Sequence, residues 1–291
     1  MPLETLQKGI LWGLKENVIF QFLFPEFELP KEYLELIDSV YHSSIIPYGN
    51  NFEWLNAKSD VVVLSNLKEW NRETSIKNST IVVRESFASL IDNVKLVKDL
   101  LAAYGKVTII PTNIEGYSDH LNEKYNDFLN TLSEYIKEEY RKSHIVQCNL
   151  ITDRIYLDKM NNCNAGVDSI TLCPDGKFYV CPAFYLDSDG YSIGDPDSGL
   201  KINNSQLYKL EFAPICSSCD CWQCKRCVWL NRKLTLEVNT PSHQQCVISH
   251  LERNASRKFL SSVRLIGRFM PETEIREINY LDPIVNVKKK L

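Results

Sequence analysis

Two hydrophobic patterns alternate in the first half of the chain. Short continuous apolar runs, typical of strands buried on both faces of a sheet, occur at residues 18–24, 61–64, 80–83, 107–110 and 144–151. Between these runs, apolar residues recur every three or four positions, which predicts amphipathic helices. Alternating strands and helices favour right-handed crossovers and a parallel sheet, so the pattern predicts an α/β fold for this half.

Several residues mark where these helices begin and end. The apolar stripe in residues 87–105 ends at Gly105, which is a good stop signal. Ser118 is a suitable N-cap for the next helix, and Pro30 suits the first position of an earlier one. Aromatic residues on such stripes usually belong to a core, and we interpret them in that way here.

The second half of the chain is rich in turns. The segment "CPDGKFYVCP" (173–182) predicts a hairpin around a Pro-Asp-Gly turn, and residues 187–199 predict a solvated loop. Residues 241–266 have a helical pattern, and the chain ends in "KKKL". We therefore expect an α/β domain over residues 1–155, a small cysteine-rich domain over 156–266 and a tail over 267–291.

Charge and composition limit the kinds of partner that we expect this protein to bind. The formal net charge is -4 and the sequence pI is about 5.8, which gives no general attraction to nucleic acid or to an acidic membrane. The sequence has no uncharged apolar run of about 18 residues and no signal-peptide pattern at its start. We therefore predict a cytoplasmic protein with neither nucleic acid nor membrane as a partner.

Five of the ten cysteines lie in "CSSCDCWQCKRC", residues 216–227. In a reducing compartment, such crowding favours metal binding or catalysis over disulfides. Cys148 and Cys173, taken singly, also fit ordinary buried thiols. A redox dithiol needs only one Cys-x-x-Cys pair and is the least suited hypothesis.

Zinc and iron–sulfur clusters remain as alternatives for the cysteines. One zinc site takes four thiolates and leaves Cys163, Cys181 and Cys246 without a role. Two four-iron clusters take eight ligands from the ten cysteines present. This count favours iron–sulfur clusters over zinc.

The order of the cysteines carries a family resemblance. Cys163 is followed after twelve residues by Gly176, four further residues and Cys181, and then come Cys216, Cys219, Cys224, Cys227 and Cys246. This order resembles the SPASM domain, the C-terminal auxiliary-cluster module of radical SAM peptide-modifying enzymes. The hairpin and "SIGD" (192–195) also look like that module. The second half departs from the family pattern, because its spacings are shorter and Cys221 is additional.

The resemblance implies two [4Fe-4S] clusters. Their ligands would be Cys216, Cys219, Cys224 and Cys246 for one cluster, and Cys163, Cys181 and Cys227 for the other. Cys148 or Cys173 would complete the second set, and Cys221 is an alternative to Cys224 in the first.

The chain lacks the motif that binds the radical-generating cluster. No Cys-x3-Cys-x2-Cys occurs in the 291 residues, and the loop "PEFELPKEYL" (25–34) after the first strand holds no cysteine. We therefore expect a partial or degenerate radical SAM-like β/α domain that does not itself cleave S-adenosylmethionine.

An α/β domain of this kind followed by a cysteine module resembles the CXXX repeat peptide maturases. The resemblance implies a companion of a radical SAM enzyme that matures a cysteine-rich ribosomal precursor peptide. The companion would transfer electrons or bind substrate thiols through its clusters. The alternative hypotheses are a zinc-stabilised peptide-binding module without redox activity and a purely structural partner.

Overall fold

The computed structural model describes residues 1–49, 59–72, 76, 80–157, 160, 162–187, 190–219 and 221–267. The α-helices in this part are α1 (Leu3–Lys15), α2 (Lys31–Asp38), α3 (Phe87–Asp92), α4 (Val94–Tyr104), α5 (Asn122–Arg141), α6 (Pro182–Leu186), α7 (Val228–Thr235) and α8 (His243–Arg264). The strands are β1 (Phe20–Leu23), β2 (His42–Pro47), β3 (Val61–Leu64), β4 (Thr80–Ser86), β5 (Lys106–Thr112), β6 (Gln147–Cys148), β7 (Thr171–Leu172), β8 (Phe178–Tyr179), β9 (Gly194–Asp195) and β10 (Gly199–Leu200).

The chain folds into two compact units that are interleaved along the sequence. We call the first the hairpin unit; it comprises Met1–Ser44, Cys163–Ser218 and Arg226–Ser242. We call the second the sheet unit; it comprises Ile45–Asn162, Cys219–Lys225 and the described residues from His243 onward. The chain crosses between these units several times, and the domains expected from the sequence, over 1–155, 156–266 and 267–291, stay a prediction. The "KKKL" end lies outside the described residues.

The expected α/β fold is confirmed by one six-stranded sheet. Its strands follow chain order from β1 to β6, and the pairings from β2 to β6 are parallel. In β3, β4 and β5, alternate residues are buried, as in Val62, Ile81 and Val107. These residues are β-branched, which suits a pleated surface that is packed against helices.

The core of the sheet unit joins residues that are distant in sequence. Helices α3, α4, α5 and α8 contribute to it, and α5 packs along α8. The buried residues of α5 lie at helical spacing, from Tyr125 to Ile136, and those of α8 extend from Gln245 to Val263. The predicted helix over 241–266 is therefore confirmed, and its apolar face completes the core.

The structure departs from the sequence-based elements at several places. Strand β2 was not predicted, because its first residues include Ser43 and Ser44 and it lacks a continuous apolar run. The single helix expected over 87–105 is two helices that meet at Asn93, where φ is -116° and ψ is 31°. Gly105 ends the second of them at a φ of 70°, as predicted.

Other elements also differ from those that the sequence predicted. The apolar run 144–151 forms only the two-residue strand β6, and helix α1 was not predicted. Ser118 precedes a 3₁₀ turn, Asp119–Leu121, and α5 begins directly after that turn. Pro30 lies one position before α2 rather than at its first position.

The hairpin unit has a small core of its own. The predicted hairpin is formed by β7 and β8, which pair antiparallel, and β9 and β10 form a second antiparallel pair within the loop expected over 187–199. Trp12 of α1 packs on Phe178 of β8 with 4.5 Å between ring centroids. Phe184 of α6 and Val228 of α7 are buried in the same cluster. Helices α6 and α7 are thereby fixed at their first turns.

Among the described residues, no helix has the length and apolar character needed to cross a bilayer.

Candidate metal centres

The hairpin unit brings together three cysteines from separate segments. Cys163 is exposed, whereas Cys181 and Cys227 are partly buried. The three sulfurs lie within electrostatic range, since Cys227 and Cys163 both raise the pKa of the Cys181 thiol. Cys163 likewise raises the pKa of Cys227. The resemblance had assigned these three cysteines to one cluster.

Cys181 and Cys227 each occupy the N-cap position of a helix. Cys181 precedes α6, whose first residue is Pro182, and Cys227 precedes α7. A cysteine at this position lies next to backbone N–H groups that have no partner within the helix. The local sequence thus places two sulfurs where helix termini supply hydrogen-bond donors.

Backbone N–H groups at the two helix starts affect the pKa of both thiols. Burial raises the pKa of the Cys181 thiol, while the nearby backbone N–H groups of Phe184 and Ala183 lower it. Burial also raises the pKa of Cys227, and the N–H groups of Leu230 and Trp229 act in the opposite direction. On balance the pKa of both thiols is raised, because burial outweighs the backbone N–H groups.

Cys173 lies beside this group in the β7–β8 hairpin. It is 3% exposed, and burial, Asp175 and Cys181 together raise its pKa to about 12. Its backbone N–H donates to the carbonyl of Lys177 across the turn. Of the two cysteines proposed as the fourth ligand, Cys173 is in the same unit as Cys181, whereas Cys148 is in the sheet unit. Cys216 also belongs to the hairpin unit and lies in a 3₁₀ turn, Cys216–Ser218.

Polar contacts hold α7 in the hairpin unit. The indole N–H of Trp229 donates to Oδ2 of Asp187 at 2.9 Å, and the buried Arg226 donates to the carbonyl of Tyr208 at 2.9 Å. The guanidinium of Arg232 lies over the Tyr191 ring, 4.8 Å from its centroid. These contacts fix the helix that begins directly after Cys227.

A second group of cysteines lies in the sheet unit, in the segment Cys219–Lys225, which we call the cysteine loop. The backbone N–H of Cys221 donates to the sulfur of Cys219 at 3.4 Å, and Asn162 Nδ2 donates to the sulfur of Cys224 at 3.4 Å. Burial raises the pKa of Cys221, Arg154 lowers it, and both Cys224 and Cys219 raise it further. Three thiols are thus close together in this loop.

Hydrogen bonds connect the cysteine loop to helix α8. Lys225 N donates to Ser249 Oγ at 2.8 Å, and Gln245 Nε2 donates to the Lys225 carbonyl at 2.9 Å. The Cys221 thiol donates to the Ser249 carbonyl at 3.3 Å. Cys246 lies on α8 between Gln245 and Ser249, so the helix places it next to residues that bind the loop.

A buried ionic network supports the same loop. Glu252 of α8 is 0% exposed and accepts hydrogen bonds from Tyr125 and Arg154, each at 2.7 Å, while Lys225 Nζ lies 3.0 Å from the same carboxylate. Arg154 also donates to the carbonyl of Gln223. Burial alone would raise the pKa of Glu252, but Lys225 and Arg154 outweigh it and hold the pKa below its ordinary value. The loop is therefore held by the ion pair of Lys225 as well as by hydrogen bonds to its backbone.

Sequence reasoning missed this network. Its signal in the sequence is weak, because Glu252 is one acidic residue at a core-facing position of an otherwise amphipathic helix.

Cys148 of β6 also lies in the sheet unit, as part of its hydrophobic core. It is fully buried in the core, and burial raises its pKa to about 12. Its backbone N–H donates to Thr152 Oγ1 at 3.0 Å. These surroundings are those of an ordinary buried thiol.

Predicted ligands thus occur in both units, and Cys216 belongs to a different unit from Cys219 and Cys224, with which the resemblance had grouped it. Cys163, Cys181 and Cys227 are together with Cys173, and Cys219 and Cys224 are together with Cys221. Within the described ranges, no three His, Cys, Asp or Glu side chains are spaced as ligands of a single metal ion. The ligands of each cluster stay a prediction.

The fold is of the class found in radical SAM enzymes with a SPASM domain. One solved structure with this fold is "native anSMEcpe with bound AdoMet and Cp18Cys peptide", at a TM-score of 0.59 and 15% identity over 91% of this chain and 92% of that chain. A hexahistidine-tagged form of anSMEcpe with bound AdoMet gives a TM-score of 0.59 and 15% identity over 91% of each chain. The anSME proteins are anaerobic sulfatase-maturating radical SAM enzymes that contain a SPASM domain.

At 15% identity this likeness shows the fold alone. No protein-family profile matches the chain. No curated protein matches it either.

Proposed function

We propose that this chain is an iron–sulfur protein that assists a radical SAM enzyme in maturing a cysteine-rich ribosomal peptide. The observation that carries the proposal is the group formed by Cys163, Cys181 and Cys227, two of which lie beside the backbone N–H groups at helix starts. Such donors stabilise thiolates bound to iron and tune the potential of a cluster.

The thiols in the hairpin unit suit a cluster by their chemistry. Cys163, Cys181 and Cys227 would bind it, and Cys173 is the candidate for the fourth position. Metal ligation ionises thiols whose pKa is raised by burial, so loading releases protons. When bound, a cluster supplies a one-electron redox centre or an iron that can hold a substrate thiolate.

The likeness to anSMEcpe supports a role related to radical SAM chemistry. That protein binds AdoMet and a peptide described as Cp18Cys. In this chain the segment after β1 contains no cysteine, and no Cys-x3-Cys-x2-Cys motif occurs. A companion role follows more naturally from these facts than cleavage of S-adenosylmethionine by this chain itself.

Metal analysis after anaerobic reconstitution tests the cluster part of the proposal. We expect about eight iron and eight sulfide per chain and broad absorption near 400 nm that dithionite bleaches. Cys181→Ala and Cys227→Ala should each lose about half of the iron, whereas the buried control Cys148→Ala should keep it. One zinc with little iron would instead support the zinc-stabilised peptide-binding module.

Peptide binding tests the substrate part of the proposal. We expect the reconstituted chain to bind a synthetic peptide with cysteine at every fourth residue more tightly than its serine counterpart. Calorimetry under anaerobic conditions measures both affinities. Equal affinities for the two peptides would contradict direct recognition of substrate thiols and leave electron transfer to the partner enzyme as the role.

A further inference from the structure

The first strand of the sheet, β1, has one partly covered face and one exposed face. Phe20 lies against Gly13 of α1, where an added Cβ would be 2.5 Å from the phenyl ring. On the opposite face Gln21 and Leu23 are exposed, and Leu23 is 60% accessible to solvent. Residues two positions apart share a face of a strand, so Ile19, which is 86% exposed, continues this face. An exposed strip with apolar ends therefore follows β1.

Strand β2 extends this exposed strip. Gln21 Nε2 donates to Ser43 Oγ at 3.3 Å, which places the two side chains on the same side of the sheet. Tyr41 lies two positions before Ser43 and is 91% exposed. We call the surface formed by Ile19, Gln21, Leu23, Tyr41 and Ser43 the edge face. All five residues belong to the hairpin unit.

Strand β1 also has a backbone edge to which a further strand can be added. Among the described strands, β1 lies at one end of the sheet and has only β2 beside it. An edge strand presents backbone N–H and C=O groups with which another extended chain can pair. Charged residues or proline often protect such edges, but β1 reads Phe-Gln-Phe-Leu and contains neither. The backbone of β1 is therefore suited to pairing with an added strand.

Carboxylates follow the exposed strip directly along the chain. Residues 24–38 contain five exposed acidic side chains and a single lysine, Lys31, which lies 2.9 Å from Glu35. Exposed Phe27 stands between two of the carboxylates, Glu26 and Glu28. Opposite charges across an interface favour the correct partner and speed its association. A partner of this surface should therefore carry lysine or arginine next to apolar residues.

The apolar exposure extends into the neighbouring helix. Leu11 and Leu14 of α1, and Val18 in the turn that leads to β1, are also exposed. Single exposed apolar residues are normal, whereas a concentration of them marks an interaction surface. Residues 1–147 contain no cysteine, so this surface offers no sulfur to iron or to a cysteine-rich peptide. Its chemistry is that of apolar contact and charge rather than of thiols.

We propose that the edge face binds an extended, basic segment of a partner protein, which adds to the sheet as a strand beside β1. Backbone hydrogen bonds to the β1 edge hold this segment, and its alternate apolar side chains cover Ile19 and Leu23. Its lysine or arginine side chains pair with the carboxylates of residues 24–38. The inference goes beyond the proposed function, since it involves neither iron nor any cysteine of the chain.

Binding of a synthetic probe peptide to the full-length chain tests this inference. The probe has about nine residues, valine alternating with lysine, and the control peptide has glutamate in place of lysine. We expect the lysine peptide to bind at least about tenfold more tightly at low ionic strength, as measured by fluorescence anisotropy. Hydrogen–deuterium exchange should show protection of the β1 amides by the lysine peptide only. Equal affinities for the two peptides would overturn the proposal.

Substitutions of exposed residues locate the binding surface. The double variant Ile19→Ser with Leu23→Ser should bind the lysine peptide about tenfold more weakly, because it removes the apolar contacts. Leu265→Ser changes a leucine at the end of α8 that is 89% exposed, and should leave the affinity unchanged. Glu26→Gln with Glu28→Gln should weaken the lysine peptide without affecting the glutamate peptide. Unchanged affinity in both double variants would contradict binding at the edge face.

Two other occupants of the edge face give different results. A dimer of the chain that the Ile19→Ser, Leu23→Ser variant dissociates, with no binding of the lysine peptide, would overturn the proposal in favour of a second copy. Sedimentation velocity measures this. Binding of the lysine peptide only to a chain ending at Gly267 would also overturn it, because residues 268–291, which end in "KKKL", would then compete for the surface. The metal-free chain serves throughout, so a failure of the proposed function leaves this test unaffected.

Discussion

The cysteines of this chain differ sharply in their individual surroundings. Cys163 is exposed, whereas Cys148 and Cys173 are buried with pKa values raised to about 12. Cys181 and Cys227 are partly buried. Burial raises the pKa of both thiols, and nearby backbone N–H groups lower it. Their chemical reactivity in the metal-free chain should follow these differences.

Alkylation of the metal-free chain measures this reactivity. At pH 8, a thiol with a pKa near 12 is ionised to only about one part in 10⁴, and the thiolate is the reacting form. We expect iodoacetamide to modify the exposed Cys163 at least about tenfold faster than Cys173. Mass spectrometry of tryptic peptides gives both rates. Equal rates in the folded chain would contradict the burial of Cys173, and equal rates in denaturant provide the control.

Glu252 is the residue on which the cysteine loop depends most. Glu252→Gln removes the negative charge that Arg154 and Lys225 share, which leaves the buried Arg154 and the partly buried Lys225 without it. We expect the free energy of unfolding to fall by about 3 kcal/mol, as when one partner of a buried pair is removed. Denaturant titration measures the change. Glu138→Gln, at a pair with Arg141 whose side chains are both 49% exposed, should cost less than about 1 kcal/mol.

The same residue gives a pH dependence of stability. The pKa of Glu252 is lowered in the folded chain, so its stabilising effect is complete above the pKa of an unfolded glutamate, about 4.3. The effect is lost as the pH falls through the lower folded pKa. The difference in unfolding free energy between wild type and Glu252→Gln should therefore shrink below about pH 4.3. A difference that grows on acidification would contradict this assignment.

At the scale of elements, short segments position the sulfurs. Helices α6 and α7 begin directly after Cys181 and Cys227, and the second hairpin, β9 and β10, packs in the same unit. In that hairpin Gly194 has a φ of 126°, and a Cβ there would lie 2.0 Å from the carbonyl oxygen of Gly199. The pairing of the two strands therefore requires glycine at this position.

Substitution of the two glycines separates backbone strain from this close contact. Gly199 also has a positive φ, 74°, but a Cβ there meets nothing within 4 Å. We expect Gly199→Ala to cost about 1–2 kcal/mol from strain alone, and Gly194→Ala to cost clearly more. Thermal unfolding followed by circular dichroism compares the two variants. An equal loss in both would show that the contact with Gly199 is relieved by backbone movement.

At the scale of the whole molecule, the chain is divided between two interleaved units. The core of the sheet unit includes Val247, Ile248, Leu251, Phe259 and Leu260 of α8, which follow the sheet by about a hundred residues. The first 155 residues therefore contain the sheet without the helix that packs along α5. An apolar face of this size exposed to water is a large cost for a small domain.

Truncation tests whether the first half can fold alone. We expect a chain ending at residue 155 to lack cooperative unfolding, because it has lost the α8 part of the core. A chain ending at Gly267 keeps every described element and should unfold cooperatively. Calorimetry of the two chains gives the comparison. A cooperative transition in the shorter chain would support the domain boundary that the sequence suggested.

Local sequence determined the elements that depend on neighbouring residues. Continuous runs of mostly β-branched residues predicted β3, β4 and β5, although only alternate residues of these strands are buried. The Pro-Asp-Gly turn predicted the β7–β8 hairpin, and Gly105 predicted a helix end. The resemblance of the cysteine pattern to the SPASM domain implied which cysteines were expected to share a cluster. Strand β2 escaped prediction because its serines interrupt the apolar pattern.

Only the tertiary structure decided which residues from distant segments meet. Cys224 and Cys227 are three positions apart, yet they belong to different units, because the chain passes from one unit to the other between Lys225 and Arg226. Glu252 meets Arg154 and Lys225 only after α8 has packed against the sheet unit's core. Hydrophobic periodicity records which face of an element is buried, but not the partner against which it is buried. Long-range packing therefore determined the surroundings of each sulfur.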